Sequence, residues 1–291
     1  MPLKLTAPAV RARKGRDRLV MVTAYDAPGA RIAHEAGVDL ILVGDSLAMV
    51  VLGYDDTLQV TTDDMAHHVG AVARGLATST ASTPVPLVIG DLPWLSYHVG
   101  VEDTVRNAAA LIRAGAQAVK LEGGRKRVRM IEAIVDAEIP VMGHIGLTPQ
   151  SVHAMGGFKV QGKQASAAQA LVADAKALVE AGCFSLVLEG VPDQVARLVT
   201  DAVDVPTIGI GAGRWCDGQV LVFHDLLGLE DRMAPKFVRR YAALKADAVK
   251  AMASYADDVR AGHFPADDES YHLADAEAEL LGLYGGVSKT E

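Results

Sequence analysis

The chain has 291 residues, half of them apolar, 5% aromatic and 22% charged, with a formal net charge of −8. That balance belongs to a globular protein with an aliphatic core and excludes a wholly disordered chain. The acidic excess leaves no general basic surface to displace counterions, so it argues against binding to nucleic acid or to an anionic membrane face.

Taken in chain order, the N-terminus MPLKLTAPAVRARKGR lacks the continuous apolar region of a signal peptide. Nor does any segment approach the roughly 18 apolar residues that span a bilayer. The basic runs RKGR (13–16) and GRKRVR (124–129) read as solvated helix faces. Eight short aliphatic runs then alternate with helix-patterned stretches: 18–26, 39–46, 86–93, 118–124, 140–148, 184–192, 206–213 and, least clearly, 219–228. Between them, Thr61 or Thr62 can cap the helix written TTDDMAHHVGAVARGL. VEDTVRNAAALIRAG and SAAQALVADAKALVEAG each end in a glycine, as helix C-caps do. Runs that are apolar without alternation belong to strands covered on both faces, and a βα unit repeated about eight times predicts a (β/α)8 TIM barrel.

Beyond the last run, Tyr241, Leu244, Ala248, Met252, Tyr255 and Val259 fall at spacings of three and four and predict an extra amphipathic C-terminal helix. No linker rich in proline, glycine or serine divides residues 1–265, so these are read as a single barrel domain with an N-terminal extension and terminal helices. Residues 266–291 form an acidic tail, either a short helix packed on a neighbouring subunit or a poorly ordered end, with the second favoured. Cys183 and Cys216 lack CxxC spacing and are too few for a disulfide framework or a closed zinc site, which fits a cytoplasmic protein.

Nearly every run stops on a polar or ionisable residue: Asp26, Asp45 with Ser46, Asp91, Lys120 with Glu122, His144, Glu189, Gly209, Gly211 and Gly213, and His224 with Asp225. In a barrel these ends converge on one mouth, the mouth that carries the active site. Asp26 and Asp225, taken alone, are read as turn formers or helix caps. Asp45 and Asp91 share the context Gly-Asp after an apolar run, and two carboxylates at one mouth repel unless a cation lies between them. Magnesium keeps several waters and uses one or two carboxylates, a count that Asp45 and Asp91 suit, with Glu122 joining directly or through water. Lys120 and Glu122, two apart on a strand, point to the same side. Glu189, behind a run of apolar residues, is the candidate general base, a salt bridge to Lys120 being the competing reading. His144 is a metal ligand, an acid/base, a substrate contact or a buried histidine satisfied by backbone. His67 and His68 are assigned to structure. GIGAG (209–213) does not fit G-x-G-x-x-G; its glycines either approach a phosphate or turn the chain.

The words VTAYD, ILVGDS, GDLPWLSY, AVKLEGG, GHIGLTPQSV, GGFKVQGK, VLEGVP, PTIGIGAG, CDGQVLV and PKFVRRY resemble the ketopantoate hydroxymethyltransferase family, in its order and spacing from about Leu19 to Pro265. The resemblance implies a barrel of the phosphoenolpyruvate/pyruvate type that makes ketopantoate from 3-methyl-2-oxobutanoate and 5,10-methylenetetrahydrofolate, on the route to pantothenate and coenzyme A. It implies Mg²⁺ on Asp45 and Asp91 with Glu122 as a third acidic residue of the metal site. It also implies Asp45, Ser46, Asp91 and Lys120 as contacts to the keto acid, Glu189 as proton acceptor, His144 as a further site residue, and a homodecamer. Leu92 and Trp94 depart from the Met and Phe more usual in the family, and the acidic tail is longer than its usual end.

Joined to the physics of the strand ends, this predicts a magnesium-stabilised enolate formed when Glu189 takes the C3 proton, with Lys120 supplying a second positive charge. Two rivals compete: a metal-free aldolase in which Lys120 forms a Schiff base, and a non-catalytic barrel that uses GIGAGR to hold a phosphorylated ligand.

Overall fold

The computed structural model describes residues 3–230 and 235–282. Eight strands, β1 (Leu19–Thr23), β2 (Leu40–Val43), β3 (Leu87–Asp91), β4 (Ala118–Glu122), β5 (Val141–Gly146), β6 (Ser185–Glu189), β7 (Thr207–Ile210) and β8 (Gly218–Leu221), close into a barrel in sequence order. Every pairing is parallel, and β8 returns to β1 through Leu19 opposite Gly218. This is the (β/α)8 barrel that the alternation predicts. The first seven strands lie inside their expected runs. The eighth is shorter than its run: β8 stops at Leu221, and His224 and Asp225 sit on the helix Phe223–Leu227 instead of at a strand end.

The unbroken apolar runs serve two cores. Leu19, Met21, Leu40, Leu42, Leu87, Ile89, Ala118, Met142, Val187, Ile208 and Val220 form the barrel interior. Alternate residues such as Ile41, Val43, Val119 and Leu121 face the surrounding helices, where they meet Val69, Val72 and Leu111. Helix starts follow the sequence signals. Thr61 caps the helix Thr62–Ala77 in a capping box with Asp64, and Asp26 caps the helix Ala27–Glu35 by accepting from Gly29 N at 2.7 Å.

The N-terminal extension closes the lower end of the barrel. In the helix Ala7–Arg11, Ala7 and Val10 join the interior cluster. The following RKGR run is not the free solvated face expected of it: Arg13 pairs with Asp39, and Lys14 Nζ lies 2.9 Å from Asp217 Oδ2. Asp217 also accepts from Gly15 N at 3.0 Å and from Thr207 N at 2.9 Å. Burial alone would raise the Asp217 carboxyl, but hydrogen bonds from Thr207, Lys14 and Gly15 outweigh it and hold the group below the usual carboxylate range. Asp217→Asn is therefore expected to cost about 1–3 kcal/mol at neutral pH in urea unfolding. Because the folded-state value is depressed, the wild-type advantage is present above about pH 4 and fades as pH falls through the folded-state value. An unchanged midpoint at pH 7 would mean that the clamp contributes nothing.

The chain divides into two compact units, Met1–Ala242 and Ala243–Glu291, so the expected boundary at Pro265 falls inside the second unit. That unit contains the expected amphipathic helix as Leu244–Ala261, with Tyr241 outside it. None of the helix's residues is buried, and Val249, Met252, Tyr255 and Val259 are exposed. The acidic stretch carries a 3₁₀ turn, Asp267–Glu269, and a short helix, Asp275–Leu280, where an irregular end was favoured. Residues 283–291 of that tail lie outside the described residues. No described helix is long and apolar enough to cross a membrane.

Candidate active site

The interior-facing positions change character toward the C-terminal ends of the strands. Two residues beyond interior Ile89, Ala118, Met142 and Val187 come Asp91, Lys120, His144 and Glu189, and two beyond Lys120 comes Glu122. The period of two that fills the barrel with aliphatic side chains below thus delivers ionisable ones above. Asp45 follows β2 by one turn residue, and its backbone N donates to Asp91 Oδ2 at 3.2 Å, so the two acids are neighbours on one rim.

Lys120 is the hub. Its Nζ lies 2.9 Å from Asp91 Oδ1, 3.9 Å from Glu122 Oε1 and 3.2 Å from His144 Nδ1. Lys120 and Glu122 share a side, as their spacing requires. His144 Nδ1 is also 3.5 Å from Glu122 Oε1, and its Nε2 is 3.3 Å from Glu189 Oε2. Asp45, Asp91, Lys120, Glu122 and His144 are all buried, whereas the Glu189 side chain keeps 17% of its surface exposed. Glu189 therefore sits at the open edge of the cluster, wetter than the apolar run before it suggests. Its close partner is His144, not the Lys120 of the competing salt-bridge reading.

Three carboxylates and Glu189 face a single ammonium. Burial opposes the charge on Lys120, but Asp91, Glu122 and Asp45 outweigh it and hold the ammonium above its usual range. Burial lifts the Asp91 carboxyl to about 7; Lys120 pulls it down and Asp45 pushes it up. Glu122 is raised well above the carboxylate range, again first by burial. Burial and then Lys120 lower His144, so the imidazole is neutral near pH 7. With the ammonium donating to Nδ1, the ring proton belongs on Nε2, which lies 3.3 Å from Glu189 Oε2 without an aligned hydrogen bond.

Two residues missed in the sequence complete the cluster. Gln150 Nε2 donates to Asp45 Oδ2 at 2.8 Å and to Leu92 O at 3.0 Å, while its backbone N donates to Glu122 Oε2 at 3.1 Å. Tyr97 OH donates to Gln150 Oε1 at 2.6 Å and accepts from Glu122 N at 3.2 Å. Both lie inside quoted words, GHIGLTPQS and GDLPWLSY; the signal available was a polar residue in the loop just after a charged strand end. Ser46, half-buried, shares a 2.9 Å hydrogen bond with Tyr25 OH.

Among the described residues, no three His, Cys, Asp or Glu side chains form a ready metal-ligand set. The cluster nonetheless suits magnesium, which uses one or two protein carboxylates and fills its shell with water and substrate oxygens. Asp45 and Asp91 are adjacent, and Asp91 Oδ1 is buried without an aligned hydrogen bond, Lys120 being a charge contact only. Glu122 is held by Gln150 and stands beside the pair.

Other strand-end residues have structural work. Asp26 is a helix cap. His224 stacks on Tyr25 at 5.6 Å between ring centroids. His68 Nδ1 meets Tyr25 O at 2.6 Å. The GIGAG glycines make room for packing: at Gly211, φ +61°, a Cβ would stand 2.6 Å from the Phe237 ring, and at Gly213, φ +75°, it would stand 2.3 Å from Asp193 Cβ.

A family model described as ketopantoate hydroxymethyltransferase matches residues 4–267. A 3-methyl-2-oxobutanoate hydroxymethyltransferase of Oleidesulfovibrio alaskensis is 56% identical over 274 residues, covering 94% of this chain and 92% of the relative. One of Syntrophobacter fumaroxidans is 53% identical over 282 residues, covering 97% and 98%. Among solved structures, a phosphonopyruvate hydrolase superposes with a TM-score of 0.59 at 16% identity, covering 96% of this chain and 95% of its own, a likeness of fold.

Proposed function

The chain belongs to the ketopantoate hydroxymethyltransferase family, and from that premise we propose that it converts 3-methyl-2-oxobutanoate, 5,10-methylenetetrahydrofolate and water into 2-dehydropantoate (ketopantoate) and tetrahydrofolate. The observation that carries the reading is the convergence of Asp45, Asp91, Lys120, Glu122, His144 and Glu189 from five neighbouring strands on one rim. An anionic keto acid needs positive charge to enter that rim, and Lys120 alone cannot balance these acids once they are ionised. Magnesium held by Asp45 and Asp91, with Glu122 beside them, would supply it and act as a Lewis acid toward the keto oxygen.

The chain's own residues do the rest. Lys120, held as an ammonium, places a fixed positive charge where the substrate's carboxylate and developing oxyanion lie. Ser46, steadied by Tyr25, offers a hydroxyl to the same carboxylate. Glu189 takes the C3 proton, with the neutral His144 ring packed beside its carboxylate, Nε2 3.3 Å from Oε2. Gln150 and Tyr97 hold Asp45 and Glu122 in register, so the charges do not have to reorganise as the reaction proceeds. A homo-oligomer in the cytoplasm accompanies this reading.

The deciding experiment incubates the protein with 3-methyl-2-oxobutanoate, methylenetetrahydrofolate and Mg²⁺ and follows ketopantoate by mass spectrometry. Ketopantoate formed at turnover rates supports the assignment; its absence, with the same protein also failing to exchange the C3 proton in D₂O, would overturn it.

A further inference from the structure

Neutral groups tie the acids of the rim together, and two of them can arrange their protons in only one way. Tyr97 OH accepts from Glu122 N at 3.2 Å, and a backbone N–H can only donate, so the hydroxyl proton goes to Gln150 Oε1 at 2.6 Å. At the other end, Gln150 Nε2 lies 3.0 Å from Leu92 O, and a carbonyl can only accept, so the amide atom there is the nitrogen. Both ends demand the same orientation of the amide. Its remaining proton then points at Asp45 Oδ2, 2.8 Å away. A direction imposed by backbone at each end cannot be reversed by turning a side chain.

The head of this series is held firmly. Tyr97 is buried, the Arg127 guanidinium lies over its ring at 5.4 Å from the centroid, and the His98 ring is 4.3 Å away. Arg127 belongs to the GRKRVR run, expected only to be a solvated face, yet it is half-buried against Tyr97. Gln150 is fixed by its backbone as well, because the 3₁₀ turn Pro149–Ser151 aims its N at Glu122 Oε2, 3.1 Å away.

What the series decides is the attitude of Asp45. The last torsion of an aspartate is broad, so the carboxylate by itself has no sharply preferred rotation. With Oδ2 taken by Gln150, Oδ1 is left over, and it accepts no hydrogen bond among the described residues. Asp91 is divided in the same way: its Oδ2 accepts from Asp45 N, and its Oδ1 has no aligned hydrogen bond.

We propose that Arg127, Tyr97 and Gln150 are positioning residues, a one-way series that commits Asp45 Oδ2 to Gln150 and leaves Asp45 Oδ1 as the oxygen that meets the cation. The proposal rests on the functional reading above and deepens it, since it names what prepares one carboxylate before any metal arrives. It also gives the GRKRVR run a role that neither the sequence pattern nor the mechanism supplied.

Mg²⁺ is the probe, titrated calorimetrically into EDTA-stripped protein with 3-methyl-2-oxobutanoate present. Gln150→Met keeps an unbranched side chain but has no donor, and it is expected to weaken Mg²⁺ binding about 10- to 100-fold, as loss of a group that orients a ligating carboxylate does. Tyr97→Phe removes one oxygen and leaves the ring beneath Arg127, so the fold is kept; the expected loss is about three- to tenfold. Arg127→Gln should cost about two- to fivefold. In the Gln150→Met background, Tyr97→Phe and Arg127→Gln should each change the affinity by less than about twofold, because no amide is left to orient, whereas independent packing effects would add. The Mg²⁺ concentration for half-maximal turnover should rise in step with the affinity loss in Tyr97→Phe, with kcat at saturating Mg²⁺ within about threefold of wild type. Wild-type Mg²⁺ affinity in folded Tyr97→Phe, or losses that simply add in the double variants, would overturn the inference while leaving the functional reading intact. A wild-type protein that binds no Mg²⁺ and forms no ketopantoate would end both.

Discussion

Glu189→Gln is expected to slow exchange of the C3 proton of 3-methyl-2-oxobutanoate by about 10² to 10⁴-fold, the usual contribution of a positioned general base. Of the cluster's acids, Glu189 alone is partly exposed and free of Lys120, so its oxygens can reach a proton on a substrate seated at the rim. Asp91 and Glu122 are buried against Lys120 and away from the open edge, which leaves them without access to a proton on a substrate seated at the rim. Glutamine preserves size and the contact to His144 Nε2 but has no basic oxygen to take the proton. The exchange is read in D₂O by proton NMR without the folate donor, which separates proton removal from transfer. The KM for the keto acid is expected to stay within a few-fold, since Glu189 is assigned to the transition state more than to binding. Exchange at the wild-type rate in Glu189→Gln would place the base elsewhere, with His144 the next candidate.

The same geometry weighs against the Schiff-base alternative. A lysine that attacks a carbonyl must be available as the free amine, which enzymes arrange by apolar burial or a second cation. Lys120 has the burial but also three acids, with Asp91 in charge contact at 2.9 Å, and they hold its proton on. It is built as a fixed cation. The phosphate-binding barrel loses its motivation, because packing against Phe237 and Asp193 already accounts for Gly211 and Gly213.

The barrel was legible because its strands are covered on both faces, so each run is continuously apolar and ends abruptly where the interior meets the mouth. That end is a sharp signal: Asp91, Lys120, Glu122, His144 and Glu189 all lie at interior positions that a period of two assigns from the aliphatic residues below them. The eighth run was overextended because only Val222 separates β8 from the helix Phe223–Leu227, leaving no polar turn to mark the change. Gln150 and Tyr97 escaped notice for a different reason. They act through hydrogen bonds from loops, and a neutral side chain in a loop has no periodicity and no charge to set it apart. The role of Asp217 was likewise invisible, since its partners Lys14 and Thr207 lie far from one another in the chain and meet only when the extension seals the barrel.

Removing magnesium with EDTA is expected to lower both C3 exchange and ketopantoate formation by about 10³-fold or more, with recovery on adding Mg²⁺ back, because the proposed cation would balance the ionised acids and the developing enolate charge. The sharper test is Asp91→Asn. The Asp91 carboxyl is raised to about 7 in the fold, so the protonated acid contributes stability that is complete below about pH 4 and lost as pH rises through 7. Metal-free wild-type protein should therefore lose stability from this group across that window, by at most roughly 1.4 kcal/mol per pH unit. Magnesium requires the ionised acid, so its affinity should rise with pH over the same window, and calorimetry below pH 7 should register proton release on binding. Asparagine is close in shape to the protonated acid and cannot ionise. The variant is expected to be as stable as metal-free wild type at low pH, more stable than it near pH 8, indifferent to Mg²⁺ in thermal unfolding, and inactive. That pattern, stability gained where function is lost, is what an acid kept buried for the proposed cation would show. A variant destabilised at every pH, or one whose unfolding temperature still rises with Mg²⁺, would show that Asp91 serves Lys120 alone and that the metal, if any, is held elsewhere.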